Sequence, residues 1–139
     1  MTTKFEGLEN VVVVEGDLHP DGWMSRKIKL IFETKVAASS IKIVVYNPDM
    51  STKFIDNRLN VILNDSAVAS LVMSPATCNQ VILKGKLLTN GVNNLTIEVS
   101  GYLESDLLDP RERGTLLISA EPILPPKGMS DKIKRSINV

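Results

Sequence analysis

The chain has 139 residues, 43% of them hydrophobic, with sixteen basic and sixteen acidic side chains that cancel. That is enough for one domain to close a core without disulfides or metal, while zero net charge leaves no field to gather nucleic acid or an anionic membrane surface. No apolar run approaches the roughly 20 residues that cross a bilayer, no signal-like stretch follows Met1-Thr2-Thr3-Lys4, and a single cysteine, Cys78, fits a reducing compartment, so a soluble cytoplasmic protein is expected.

The first predicted strand, Asn10 to Glu15, holds four consecutive valines, a β-branched run suited to a strand buried on both faces. His19-Pro20-Asp21-Gly22 has turn chemistry, and Met24 to Phe32 then resumes alternation with Ile28, Leu30 and Phe32 on one side. Glu33 to Ser39 is a turn or short helical link, and Ser40 to Tyr46 is a third strand closed by Asn47-Pro48-Asp49. Met50 to Asn57 is polar apart from Phe54-Ile55, which predicts a loop pinned to the core by one aromatic ring.

Arg58 to Leu63 and Ala67 to Met73 flank Asn64-Asp65-Ser66, whose first two residues tolerate left-handed backbone, so the three elements form a hairpin. Further strands follow at Asn79 to Lys84 and Asn94 to Ser100, with a bulge or a bend at Gly101. The charged turn Asp109-Pro110-Arg111-Glu112-Arg113-Gly114 precedes a last strand, Thr115 to Ala120. Eight or nine short strands with polar and apolar positions alternating predict an all-β, two-sheet antiparallel β-sandwich over residues 1–125, with a jelly roll as the best single topology and an immunoglobulin-like or other Greek-key order left open, since periodicity does not give strand order. Residues 126–139 lack the strand pattern and are expected to be a tail or linker, solvated at Lys132, Lys134 and Arg135.

Two groups of segments carry a resemblance. Arg58-Leu59-Asn60-Val61-Ile62-Leu63-Asn64, Val68-Ala69-Ser70 and Gly91-Val92-Asn93-Asn94-Leu95-Thr96-Ile97-Glu98-Val99 resemble the strands of galactose-binding-like jelly rolls, a scaffold used by carbohydrate-binding modules. Gly16 to Trp23, ending in Asp-Gly-Trp, and Asp109 to Gly114 resemble turns of β-sandwich accessory domains attached to bacterial glycosyltransferases. The resemblance implies glycan, or a glycosyltransferase catalytic domain, as partner.

Each candidate residue has a binding and a structural explanation. Trp23 offers an apolar face and one N–H for stacking on a sugar ring, or plugs the sandwich edge. His19 and Asp21 can bond glycan hydroxyls, or shape their own turn. Tyr46 and Tyr102 sit at strand ends, as a binding rim or as packing. Arg111 and Arg113 present guanidinium forks to an acidic sugar, or fasten their loop to the turn around Asp21 through an ion pair. Asp49, Asp56 and Asn57 supply oxygens without calcium-loop spacing, and no metal or cofactor is expected. No GxSxG, HExxH, phosphate-binding loop or GxGxxG occurs, so the expected activity is non-catalytic recognition or scaffolding. The competing expectation is a protein-docking or self-associating module using an exposed sheet face, with Val44, Ile62 and Leu117 pointing outward.

Overall fold

The computed structural model describes residues 2–34 and 40–123. The expected tail, and residues 35–39 of the expected link, lie outside the described residues. The strands are β1 Leu8–Glu15, β2 Lys27–Thr34, β3 Ile41–Asn47, β4 Asn57–Leu63, β5 Ser66–Met73, β6 Thr77–Leu83, β7 Val92–Val99 and β8 Leu116–Pro122, with single 3-10 turns at Thr52–Phe54 and Gly85–Leu87. They form an antiparallel five-stranded sheet, ordered β1-β2-β7-β4-β5, facing a three-stranded sheet, ordered β6-β3-β8. Most connections cross between sheets, and only the β1–β2 and β4–β5 pairs are sequential neighbours within one sheet, the alternation of a jelly-roll sandwich.

Alternation decides which side chains enter the core. Ile28, Leu30 and Phe32 from β2, Leu59, Val61 and Leu63 from β4, and Leu95, Ile97 and Val99 from β7 meet Ile41, Ile43 and Val45 from β3 and Val81 and Leu83 from β6. Each fully buried side chain of this size contributes about 1.5–3 kcal/mol before the entropy of ordering the chain is subtracted. Phe54 is fully buried and anchors the 48–56 loop as its isolated position predicts, while Ile55 stays exposed. Asn64 and Asp65 both take positive φ, 49° and 68°, the conformation that a two-residue hairpin turn requires.

Three expectations fail. Among the described residues the valine strand is an edge that pairs only with β2, and Val12, Val13 and Val14 are 53%, 36% and 48% exposed rather than buried on both faces. β-Branching selects an extended backbone, but the neighbour that would cover a strand is a tertiary matter. Leu117 is completely buried instead of outward. A bulge in β8, where Val44 opposes Ser119 but Val45 opposes Leu117, inserts one residue and turns Leu117 inward. Met24 does not begin β2; it belongs to a separate extended piece whose N–H donates to Thr115 O at 2.9 Å. Val44 and Ile62 are half-buried on outward positions, as expected.

A buried amide relay ties three loops to the sandwich end. Asn47 Nδ2 donates to Phe54 O and Ser74 O, both at 3.0 Å, and Asn47 Oδ1 accepts from Asn57 Nδ2 at 2.9 Å. Asn57 Oδ1 accepts from the Gly101 N–H at 2.6 Å. A Cβ at Gly101 would strike Lys53 O, so only glycine permits this close approach. Asn57, weighed above as a calcium ligand, is therefore committed to the loops.

Candidate functional site

The His19–Gly22 turn is built from its own polar groups. Gly22 N–H donates to His19 O at 2.9 Å, His19 N–H donates to Trp23 O at 2.8 Å, and Gly22 takes φ +95°, which favours glycine. Leu18 and Met24 bridge across the base. The outgoing limb lies along the free side of β8: Leu117 N–H donates to Gly22 O at 2.9 Å, and Trp23 bridges Leu116 in antiparallel fashion.

That placement aligns residues far apart in sequence. Leu116 opposes Tyr46 on β3, and Tyr46 opposes Cys78 on β6. Directly opposed residues share a face, so Trp23, Leu116, Tyr46 and Cys78 form one transverse row. Their neighbours Met24, Leu117 and Val45 are buried in the core, while Trp23, Leu116 and Tyr46 are half-buried and Cys78 is exposed, so the row is on the outer face of the small sheet. Strand spacing of ~4.8 Å sets the Trp23 and Tyr46 backbones roughly 10 Å apart. Val44, Ile82 and Ile118 extend the apolar surface, and Lys42, Gln80 and Glu121 punctuate it. Among the described residues, neither the Trp23 indole N–H nor the Tyr46 hydroxyl has a hydrogen-bond partner.

The charged candidates are spent on one another. Arg111 Nη1 donates to both Asp21 oxygens at 3.0 and 2.8 Å, while its Nε and Nη2 donate to the two Asp109 oxygens at 2.9 and 2.8 Å. This is the ion pair between loop and turn that the sequence offers as the structural alternative to ligand binding. Arg113 follows the same course, with Nη2 3.6 Å from Asp106 and Nε 3.6 Å from Asp109. The Asp109 carboxyl is held well below the usual range, first by the Arg111 side-chain hydrogen bonds and then by the Arg111 backbone N–H. For Asp21, burial pushes the carboxyl up, but the Arg111 hydrogen bonds, the Trp23 N–H and the Arg111 charge together outweigh it and leave the value lowered. Arg111 is raised, first by its hydrogen bonds to Asp109 and then by those to Asp21. The cluster braces the turn that carries Trp23.

Tyr102 is committed elsewhere. The Arg26 guanidinium carbon lies 4.7 Å from its ring centre, and Arg26 Nη1 donates to its hydroxyl at 2.9 Å. His19 lines a hollow of about 260 Å³ with Phe5, Leu18 and Pro20. The seven candidates thus separate into an aromatic pair on the small sheet, Trp23 and Tyr46, a salt-bridged brace of Asp21, Arg111 and Arg113, and two isolated positions, His19 and Tyr102. Among the described residues no three His, Cys, Asp or Glu side chains converge where a metal ion could be held.

The outer face of the five-stranded sheet carries depressions that motif spacing does not reveal. One, of about 580 Å³, is lined by Asn60, Ile62, Ala67, Val68, Ser70 and Glu98 among others; a second, of about 280 Å³, shares Asn60 and Glu98 and continues to Arg26 and Lys27. The polar half of the β4 and β7 alternation marks this wet face in the sequence, but the strand order that makes it a shallow trough does not appear there.

No family model matches the chain, and no curated protein matches it. Among solved structures it is similar to a family 35 carbohydrate binding module from an environmental isolate, at 14% identity and TM-score 0.42 over 89% of this chain and 86% of that one. It is also similar to the GH26-CBM35 β-(1,4)-mannanase of Podospora anserina, at 17% identity and TM-score 0.42 over 85% of this chain and 26% of that one. An exo-β-1,3-galactanase from Phanerochaete chrysosporium, solved with β-1,3-galactotriose, matches at 11% identity and TM-score 0.42 over 78% of this chain and 25% of that one. The chain spans about a quarter of the length of these two enzymes.

Proposed function

We propose that this domain is a non-catalytic glycan-recognition module and that the Trp23–Leu116–Tyr46 row is its platform. The observation that carries this reading is the pairing register, which brings two aromatic side chains onto one outward row, their polar tips without a hydrogen-bond partner among the described residues. A sugar ring has an apolar face bordered by hydroxyls, and Trp and Tyr match it with a flat apolar surface and one polar tip each. Lys42, Gln80 and Glu121 lie on the same face to bond hydroxyls. Asp21 and Arg111 act as positioning residues, since they fix the turn that presents Trp23. The glycosyltransferase-like turn motifs extend the proposal: in a bacterial cytoplasm, the module would hold acceptor glycan beside such a catalytic domain.

The test is a glycan array followed by calorimetric titration of the best oligosaccharide. Saturable binding is expected, weakened about tenfold or more by Trp23→Ala and by Tyr46→Ala, since losing one stacked aromatic contact is worth about 1.5 kcal/mol. Binding that survives both substitutions, or an array without signal, sinks the proposal. Apolar Val44, Ile82 and Ile118 on the same face favour protein docking as the second reading; an array without signal would leave that explanation standing.

A further inference from the structure

Two dipeptides place glycine directly after an aspartate or asparagine, Asp21-Gly22 and Asn90-Gly91, and the fold treats them differently. In either, the glycine nitrogen can close a five-membered ring on the preceding side-chain carbonyl carbon, an intramolecular reaction governed by how freely the two atoms reach near-attack distance. A side chain on the second residue crowds that approach, and every other asparagine in the chain precedes a residue that bears one. At Asp21-Gly22 both partners are held. The Gly22 N–H donates to His19 O at 2.9 Å, and both Asp21 oxygens accept from Arg111, which keeps the group a carboxylate and its carbon a poor electrophile.

Asn90-Gly91 lies between the Gly85–Leu87 turn and β7, where both residues are exposed and a Cβ placed on Gly91 would meet nothing within 4 Å. Among the described residues, neither the Gly91 N–H, the Asn90 carbonyl nor the Asn90 side-chain amide has a hydrogen-bond partner. The chain is fixed on both sides of that peptide plane instead: buried Asn93 accepts from the Thr89 N–H at 2.7 Å and donates to Thr89 O at 3.2 Å and to Gly91 O at 3.3 Å. The plane between these anchors turns as a crank on ψ of Asn90 and φ of Gly91, and glycine, here at φ +109°, changes φ without a Cβ clash.

We propose that Asn90 is a site of spontaneous deamidation and isoaspartate formation. The Gly91 nitrogen, losing its proton to solvent base, bonds to the Asn90 side-chain carbonyl carbon; the bond from that carbon to the side-chain nitrogen breaks, and the nitrogen leaves as ammonia. Water then adds to either carbonyl of the succinimide ring and leaves aspartate or isoaspartate, with nothing oxidised or reduced. Each product adds a negative charge to a chain whose charges cancel. Isoaspartate also lengthens the backbone by one atom between Thr89 and Gly91, the two residues that Asn93 clamps, so the converted turn no longer fits its clamp. This chemistry is independent of the glycan reading.

The full chain, held in mildly alkaline buffer beside the free peptide Leu88–Asn93, is sampled over time by isoelectric focusing, peptide mass mapping and enzymatic methylation of isoaspartate. An acidic form of the protein is expected to build up at a rate within about tenfold of the peptide's, with the new carboxylate and the isoaspartate mapped to Asn90 and none at Asp21. Asn90→Gln, whose longer side chain would need a six-membered ring, should slow the change at least about tenfold with an unchanged circular dichroism spectrum. Conversion of Asn90 more than about tenfold slower than in the peptide overturns the proposal, because the fold then holds the plane still. So does an acidic form that accumulates unchanged in Asn90→Gln, or isoaspartate that arises first at Asp21.

Discussion

Single side chains in this sandwich are informative according to whether their polar atoms are used. Asn47 and Asn57 satisfy one another and the loops around them, whereas Thr115 Oγ1 is buried with no partner among the described residues. A buried hydroxyl without a partner costs about 1–3 kcal/mol, and replacing it with a methyl of the same shape recovers part of that. Thr115→Val is therefore expected to stabilise the protein by about 1 kcal/mol in urea unfolding; a clear loss of stability would mean that the hydroxyl is hydrogen-bonded in solution. The role of Asn47 was invisible in the sequence, where Asn47-Pro48-Asp49 has only the composition of a strand terminator. Its partners Phe54 and Ser74 belong to two different loops, and no local rule brings those carbonyls to one amide.

At the scale of elements, the Asp21–Arg111–Asp109 brace links the turn after β1 to the loop before β8. Both carboxyls are lowered from an ordinary value near 3.8, so their contribution is complete above that value and disappears as pH falls through their folded-state values. Wild type should lose stability below about pH 4 more steeply than Arg111→Met, which is already less stable at neutral pH, in urea midpoints measured between about pH 5 and 2.5. Parallel curves for the two proteins would show that the brace contributes nothing in solution. The dense charge of Asp109 to Gly114 was legible, including its link to Asp21 as one of two explanations; that the ion pair is formed required the distances. Strand positions were legible for a simpler reason, since period-two alternation is a direct record of one dry and one wet face. β1 departs because a continuous apolar run has no period to record which face is covered.

For the molecule as a whole, both sheets share one core, with Ile43 and Val45 of the small sheet packed in the same cluster as Leu30, Val61 and Ile97 of the large one. Unfolding should therefore be a single cooperative transition, with Trp23 fluorescence, which reports from the small sheet, coinciding with far-ultraviolet circular dichroism. Ile43→Ala should lower both together by about 2–5 kcal/mol; separated transitions would mean that the sheets are independent units. Taken alone, the sequence determined the all-β class, the approximate limits of eight strands, the hairpin at Asn64-Asp65 and the aromatic anchor at Phe54, because each is a property of local backbone preference or two-residue periodicity. The tertiary structure decided that Leu117 faces inward, that the valine strand is an exposed edge, and that Trp23, Leu116 and Tyr46 share a row. Those outcomes depend on strand order, register and a bulge, which are set by contacts between segments dozens of residues apart, and periodicity within one segment carries no information about them.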